Sequence, residues 1–245
     1  MSSLSVSRFL ETLKKRQSPS LIWYSAPGER VELSGRVFDN WVAKTANFLV
    51  EELDVEVEDS VMLPPQLHWR TLAIAVAGLQ VGATIVQHAE DARAAFAFSP
   101  EDLDGADAEY AVLIERSALG MRYMGEVPAS LDPVDYAAEV CSFADVYMGF
   151  NQPETTTPAF ESLSHAEILH AANNLAEKLP QALPSAIQAV EISGDLTHPS
   201  TLTQFFAAQI AGYATVVLDP EIDFESTGRR DKIFSDEKAL PYPSL

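Results

Sequence analysis

The chain is poor in cysteine, in basic residues and in long apolar runs. One cysteine, Cys141, stands among 245 residues. No internal disulfide can form, which suits a reducing compartment, so the expected location is cytoplasmic. A lone cysteine of this kind is read as a small core residue. Lysine and arginine total 16 against 36 acidic residues, for a formal net charge of -20. Such a surface repels nucleic acid and anionic membrane unless basic residues cluster. The clusters Lys14-Lys15-Arg16 and Arg229-Arg230 are short and read as solvated helix ends or loops. The longest apolar stretch, Leu72 to Leu79, is far too short to cross a bilayer. The opening Met1-Ser2-Ser3-Leu4-Ser5-Val6 lacks the basic and long apolar segments of a secretory signal. Neither a nucleic-acid nor a membrane partner is expected.

What the chain does have is enough apolar residues, 47% of the total, to bury a proper core. Val6, Phe9, Leu10 and Leu13 are spaced for a short amphipathic helix. Leu21 to Tyr24 reads as a strand, Ala26-Pro27-Gly28-Glu29 as a turn, and Arg30 to Leu33 as the return strand of a hairpin. Ser34 is placed to cap a helix whose buried face is Val37, Trp41, Thr45, Phe48 and Leu49. A strand at Ser60 to Leu63, a helix at Trp69 to Val81 stopped by Gly82, and a strand at Ala83 to Val86 make a βαβ unit of a parallel sheet. Strands are predicted at Ala95 to Phe98 and Tyr110 to Ile114, and a short acidic helix within Asp132 to Phe143. Ser164-His165-Ala166-Glu167 has the form of a capping box and opens an amphipathic helix through Leu179. A second βαβ-like unit follows: strand Ala186 to Ile192, helix Leu202 to Ala211 stopped by Gly212, strand Thr215 to Leu218. From Asp219 the chain turns polar, and Leu240 to Leu245 is predicted to be a loose tail.

Few motifs carry chemistry by themselves. No Gly-x-Ser-x-Gly elbow, Gly-x-Gly-x-x-Gly turn or Walker loop occurs. His165 and His170 are five apart, which is not the spacing of a helical metal pair, so no metal site is expected. Asp132, Asp135, Glu139 and Asp145 read as a solvated acidic face. Trp23, Trp41 and Trp69 read as core.

The order of several small motifs carries more. Val31-Glu32-Leu33-Ser34, Thr45-Ala46-Asn47, Asp59-Ser60-Val61, Pro64 and Gly82-Ala83 follow one another as in the opening of the adenylate-forming superfamily. That superfamily comprises acyl-CoA synthetases, luciferases and peptide-synthetase adenylation domains. Its phosphate loop reads Thr-Ser-Gly-Thr-Thr-Gly-x-Pro-Lys-Gly-Val-x-x-Thr/Ser-His. Asn151 to His165 resembles this loop without a gap, with Thr155 on a phosphate-contacting Thr and Pro158 on the Pro. Pro153, Thr156 and Phe160 fall on glycines and Ala159 on the lysine. Gly194-Asp195-Leu196-Thr197-His198 resembles the segment near the family's acyl pocket, which makes His198 the candidate ligand-pocket residue. The resemblance covers about Leu21 to Leu218 and is nearest to a group of short actinobacterial proteins.

The resemblance implies an α/β fold, a mostly parallel sheet flanked by helices, like the N-terminal part of an acetyl-CoA synthetase-like large domain. It implies a single truncated domain over 1–245. Residues 1–20 are its N-terminal helix and linker, 21–150 a first βα part, 151–218 the degenerate loop, helix and second βα part, and 219–245 a polar tail. The family's later nucleotide-binding segments and its lid are expected to lie beyond this chain.

The departures in the loop bear on chemistry. A phosphate cradle needs inward N–H groups, and glycines that reach positive φ. Pro153 has no N–H, Phe160 is bulky, and Ala159 lacks the cation that pairs with phosphate. Glu154 adds like charge, which at ~4 Å costs on the order of 4 kcal/mol at intermediate dielectric. Thr155, Thr156, Thr157, Pro158 and Ala159 are therefore read as a vestigial loop, with no catalytic residue and no bound cofactor. The expected role is that of a catalytically inactive relative, a small-ligand-binding or regulatory module with a small acyl-type ligand near His198. The alternatives are a weak acid ligase using an unusual site or a partner, and a purely structural interaction subunit. A sheet edge left uncovered calls for a homodimer, a protein partner or the tail.

Overall fold

In a computed structural model, the structure describes residues 5–149, 153–160 and 163–245. The expectations attached to Asn151, Gln152, Glu161 and Ser162 lie outside the described residues. The chain divides into two compact units. One comprises Met1–Asp39, Gln66–Trp69 and Ala166–Leu245, the other Asn40–Pro65 and Arg70–His165.

The first unit opens with α1 (Val6–Leu13), where Ser5 Oγ accepts the Arg8 N–H at 3.2 Å and caps the first turn. Val6, Leu10 and Leu13 are its buried stripe. Strands β1 (Pro19–Tyr24) and β2 (Arg30–Ser34) form the expected antiparallel hairpin. Ser34 Oγ then accepts the Val37 N–H and starts α2 (Gly35–Glu51). The buried face of α2 is carried by Phe38, Val42, Thr45 and Leu49, while Val37 is exposed and Trp41 only half-buried. The stripe therefore begins at Phe38 rather than Val37, because positions 38, 42, 45 and 49 continue it at helical spacing.

The second unit holds a seven-stranded sheet in the order β7-β6-β5-β3-β4-β8-β9. Its strands are β3 (Ser60–Met62), β4 (Thr84–Val86), β5 (Ala92–Ala97), β6 (Ala108–Leu113), β7 (Val134–Asp135), β8 (Pro158–Phe160) and β9 (Leu163–Ser164). Pairing is parallel throughout except for the β8–β9 turn-back. Between β3 and β4 runs α3 (Trp69–Val81), apolar almost all round, with Leu72 through Ala77 fully buried. Gly82 ends it at φ +91, and a Cβ there would meet Val57 and Pro153 at 3.2 and 3.3 Å. The predicted acidic helix is a single turn, α4 (Tyr136–Glu139), capped by Asp135. Tyr136 is fully buried and its hydroxyl meets Thr45 Oγ1 at 2.7 Å, while Cys141 is exposed rather than part of the core. Lys44 donates to the carbonyls of Cys141 and Phe143, which fixes the backbone after α4 and leaves the thiol outside.

The helix α5 (His165–Ala182) returns the chain to the first unit, followed by β10 (Ala189–Glu191), α6 (Pro199–Ala211) and β11 (Ala214–Leu218). Here the five-stranded sheet has the order β12-β10-β11-β1-β2. One sheet was expected; the strands divide between two, because Leu21 to Tyr24 align in parallel with Thr215 to Leu218. The tail is folded: α7 (Arg229–Glu237) leads to β12 (Ala239–Pro241), which pairs in parallel with β10 and covers that edge. Phe224, Ile233 and Ala239 hold it by packing with Ile22 and Val216, and Arg230 Nη2 reaches the Glu191 carboxylate at 2.5 Å. Their apolar contacts are spaced too widely for a periodic signal in the sequence. The buried Gln209 side chain is satisfied: it accepts from Ser20 Oγ at 2.6 Å and donates to Ser20 O and Thr215 Oγ1. Among the described residues no helix is long and apolar enough to cross a membrane.

Candidate functional site

The segment from Pro153 to His165 is built from side chains that close it on itself. The Thr157 N–H donates to Glu154 O at 3.1 Å, and the Glu154 N–H donates back to Thr157 Oγ1 at 3.1 Å. Thr157 is buried, and its carbonyl accepts the His165 N–H at 3.0 Å. Three of the five residues from Pro153 to Thr157 thus have no N–H to offer a ligand, since Pro153 lacks one and those of Glu154 and Thr157 are engaged. Thr155, Thr156 and Pro158 are exposed. No described residue from Pro153 to His165 has a positive φ, so the alternating right- and left-handed backbone of an anion nest is absent there.

The next residues belong to the sheet. Ala159 is fully buried and Phe160 nearly so, with Phe160 opposite Ile85 of β4. Thr84 Oγ1 donates to Pro158 O at 3.3 Å. Where the resembled loop carries a lysine, the chain has a methyl group inside the protein. A side chain at that position has no path to solvent without opening the strand.

His165 starts α5 and is only 6% exposed. Its Nε2 has no hydrogen-bond partner among the described residues. Burial pulls its pKa down to about 4, although the carbonyls of Pro158 and Ala83 favour the charged form. The ring is therefore neutral near pH 7 and supplies no cation beside the loop.

His198 lies in the other unit and is differently employed. It is the N-cap of α6, exposed, with Nδ1 2.7 Å from Ser200 Oγ and accepting the Ser200 N–H at 3.3 Å. The turn before it is internally satisfied. Asp195 Oδ1 accepts from the Thr197 N–H and hydroxyl at 2.7 and 2.6 Å, and the Asp195 carbonyl accepts from Thr201 Oγ1 at 2.6 Å. Gly194, at φ +117, makes the bend.

One organised cluster was missed by sequence reasoning. Arg70, on the apolar α3, is 2% exposed and donates to the carbonyls of Glu115, Ser117 and Gly120. The Glu115 carboxylate in turn accepts the N–H groups of Ser117 and Met124 at 2.9 and 3.0 Å. These bonds outweigh its burial and hold its pKa below the usual range. Together they pin both ends of the segment 115–124. An arginine inside an otherwise apolar helix was the available signal.

Solved structures share this arrangement of strands and helices. A mutant form of coronafacic acid ligase from Pectobacterium brasiliense matches 98% of this chain and 50% of its own, with a TM-score of 0.69 at 12% identity. A Brucella canis acyl-CoA synthetase matches 99% of this chain and 48% of its own, TM-score 0.64, 14% identical. The fold is that of the adenylate-forming enzymes. The N-terminal subdomain of Klebsiella oxytoca NpsA, solved with anthranilyl-AMSN, extends the likeness, with TM-score 0.61 over 94% of this chain and 56% of that one at 13% identity. In sequence, a TIGR03089 family protein of Mycobacterium tuberculosis is 34% identical over 143 residues, 55% of this chain and 58% of the relative. No family model matches. The chain spans about half the length of the proteins it matches, and the region it shares with the adenylate-forming fold is their N-terminal part.

Proposed function

We propose that this chain is a relative of the adenylate-forming ligases that no longer handles ATP at its phosphate loop and serves as a ligand-binding or interaction module. One observation carries the reading: the Pro153–Phe160 segment, in which backbone donors are engaged internally, φ stays negative, and Ala159 and Phe160 are buried. A polyphosphate needs several convergent N–H groups and a cation. The exposed Glu154 and a chain charge of -20 oppose it further. The reading includes a cytoplasmic protein of the actinobacterial type, working as a homodimer or with a protein partner.

The test is pyrophosphate exchange over a panel of carboxylic acids, together with thermal shifts in ATP and AMP. No exchange above the blank and no nucleotide-dependent rise in Tm are expected, since a ligand that binds only the folded state must raise its stability. ATP-dependent exchange with any acid overturns the reading. Light scattering that gives a monomer at every concentration removes the homodimer.

A further inference from the structure

Helices α1, α5 and α6 enclose a groove of about 330 Å³, within the range of small-molecule sites. Its apolar lining includes Phe9, Leu13, Leu169 and Ile210. Leu13 and Leu169 are buried, while Ile210 is 40% exposed on a helix whose other apolar residues are largely buried, so it presents apolar surface to the groove. Phe9 is held edge-on to Phe206 with ring centroids 4.8 Å apart, so that wall is fixed.

The groove also carries two arginines with opposite situations. Arg16 donates to Gln209 Oε1 and to the carbonyls of Pro19, Gly212 and Tyr213, so its donors are used within the fold. Arg8 is exposed, and among the described residues its guanidinium has no partner. Its backbone N–H is already capped by Ser5, so the side chain is not needed to hold the helix. Asn173 uses its Nδ2 on Leu169 O at 2.7 Å and keeps its Oδ1. A free cation beside apolar walls is notable in a chain with 36 acidic residues to 16 basic ones.

That pairing selects its occupant. A neutral apolar molecule leaves the guanidinium unused. A compact polyanion has no apolar body and is repelled by the surrounding negative charge. An amphipathic monoanion satisfies both parts: its tail removes Phe9 and Ile210 from water, and its head takes charge-assisted hydrogen bonds from Arg8. We propose that the groove between α1, α5 and α6 binds a medium-chain amphipathic anion, head on Arg8 and tail along Phe9, Leu169 and Ile210. The proposal deepens the reading of the chain as a ligand-binding module and rests on it.

The test is calorimetric titration of the full chain with decanoate, decyl sulfate and decanol, each below the concentration at which it self-associates. One anion per chain is expected, with decanol at least tenfold weaker. Arg8→Ala weakens the anions about tenfold or more and leaves decanol unchanged. Ile210→Trp fills the groove from an already exposed position and removes all binding, with helix content by circular dichroism unchanged. Binding of decanoate alone or decyl sulfate alone supports the proposal and identifies the head group. It is overturned by no anion binding, by equal affinity in Arg8→Ala, or by binding that survives Ile210→Trp. No ATP is present, so failure here leaves the phosphate-loop reading standing, and ATP-dependent exchange leaves the groove standing.

Discussion

The loops that open α5 and α6 both deliver a histidine to the start of a helix, yet the two histidines have opposite fates. His198 stays exposed, accepts the Ser200 N–H and contacts its hydroxyl, and thereby caps α6. His165 is buried, its Nε2 without a partner among the described residues, behind a segment that is part of a sheet. The difference lies in what precedes them. Gly194 and Asp195 make a solvent-facing turn that satisfies itself, whereas Ala159 and Phe160 are apolar and pull the backbone inward against β4. Both loops satisfy their own polar groups, and the apolar pair Ala159 and Phe160 is what carries one of them into the core. The segment before His165 thus serves here as a structural element.

The largest way to break this comparison is to put a cation at position 159. Ala159→Lys places an ammonium and a long stem where the side chain is fully buried, and a loss of about 4 kcal/mol or more is expected in urea unfolding. A variant of unchanged stability would mean that the strand opens readily. Phe160→Ala removes a buried ring opposite Ile85 and should cost about 3 kcal/mol or somewhat more, read from the shift of the denaturation midpoint at constant slope.

Acid separates the two histidines next. The pKa of His165 is about 4 in the folded state, below the unfolded value near 6.5. Between these values the unfolded chain takes up a proton that the folded chain refuses, so stability rises with pH through the window and is lost as pH falls through it. The full effect approaches about 3 kcal/mol. His165→Phe should flatten the stability profile between pH 6.5 and 4, and His198→Ala should leave its shape unchanged. An identical profile in wild type and His165→Phe would remove the buried-histidine account. The smallest effect is the cap itself: His198→Ala should cost about 1 kcal/mol of stability, and His198→Asn, a better cap, should restore it.

Much of the fold was legible because its signals are local. Val6, Phe9, Leu10 and Leu13 mark α1 to its ends, Ser34 and Ser164 stand immediately before α2 and α5, and Gly82 and Gly212 stop α3 and α6 where left-handed backbone is required. The two βαβ units followed from short strands on either side of a helix. Of the candidate site, the helix start at Ser164 was readable, but the burial of the residues before it was not. Nothing near Ala159 or His165 announces that both are buried, because β4, which pairs with the strand holding Ala159, lies far away along the chain. Arg8 was illegible for the converse reason, since a cation on an amphipathic helix looks the same whether or not its charge is spent.

By itself the amino-acid sequence determined the periodicities, caps and breaks of each element, and with them an α/β chain whose segment before α5 holds neither glycine nor lysine. These are properties of neighbouring residues and of the bare polypeptide. Only the tertiary structure decided that β1 joins β11 and so divides the strands between two sheets, and that the polar tail becomes α7 and an edge strand. It also decided that Cys141 is exposed and His165 buried. Strand pairing and burial depend on which distant surfaces meet, and their free energy is realised only when those surfaces exclude water together.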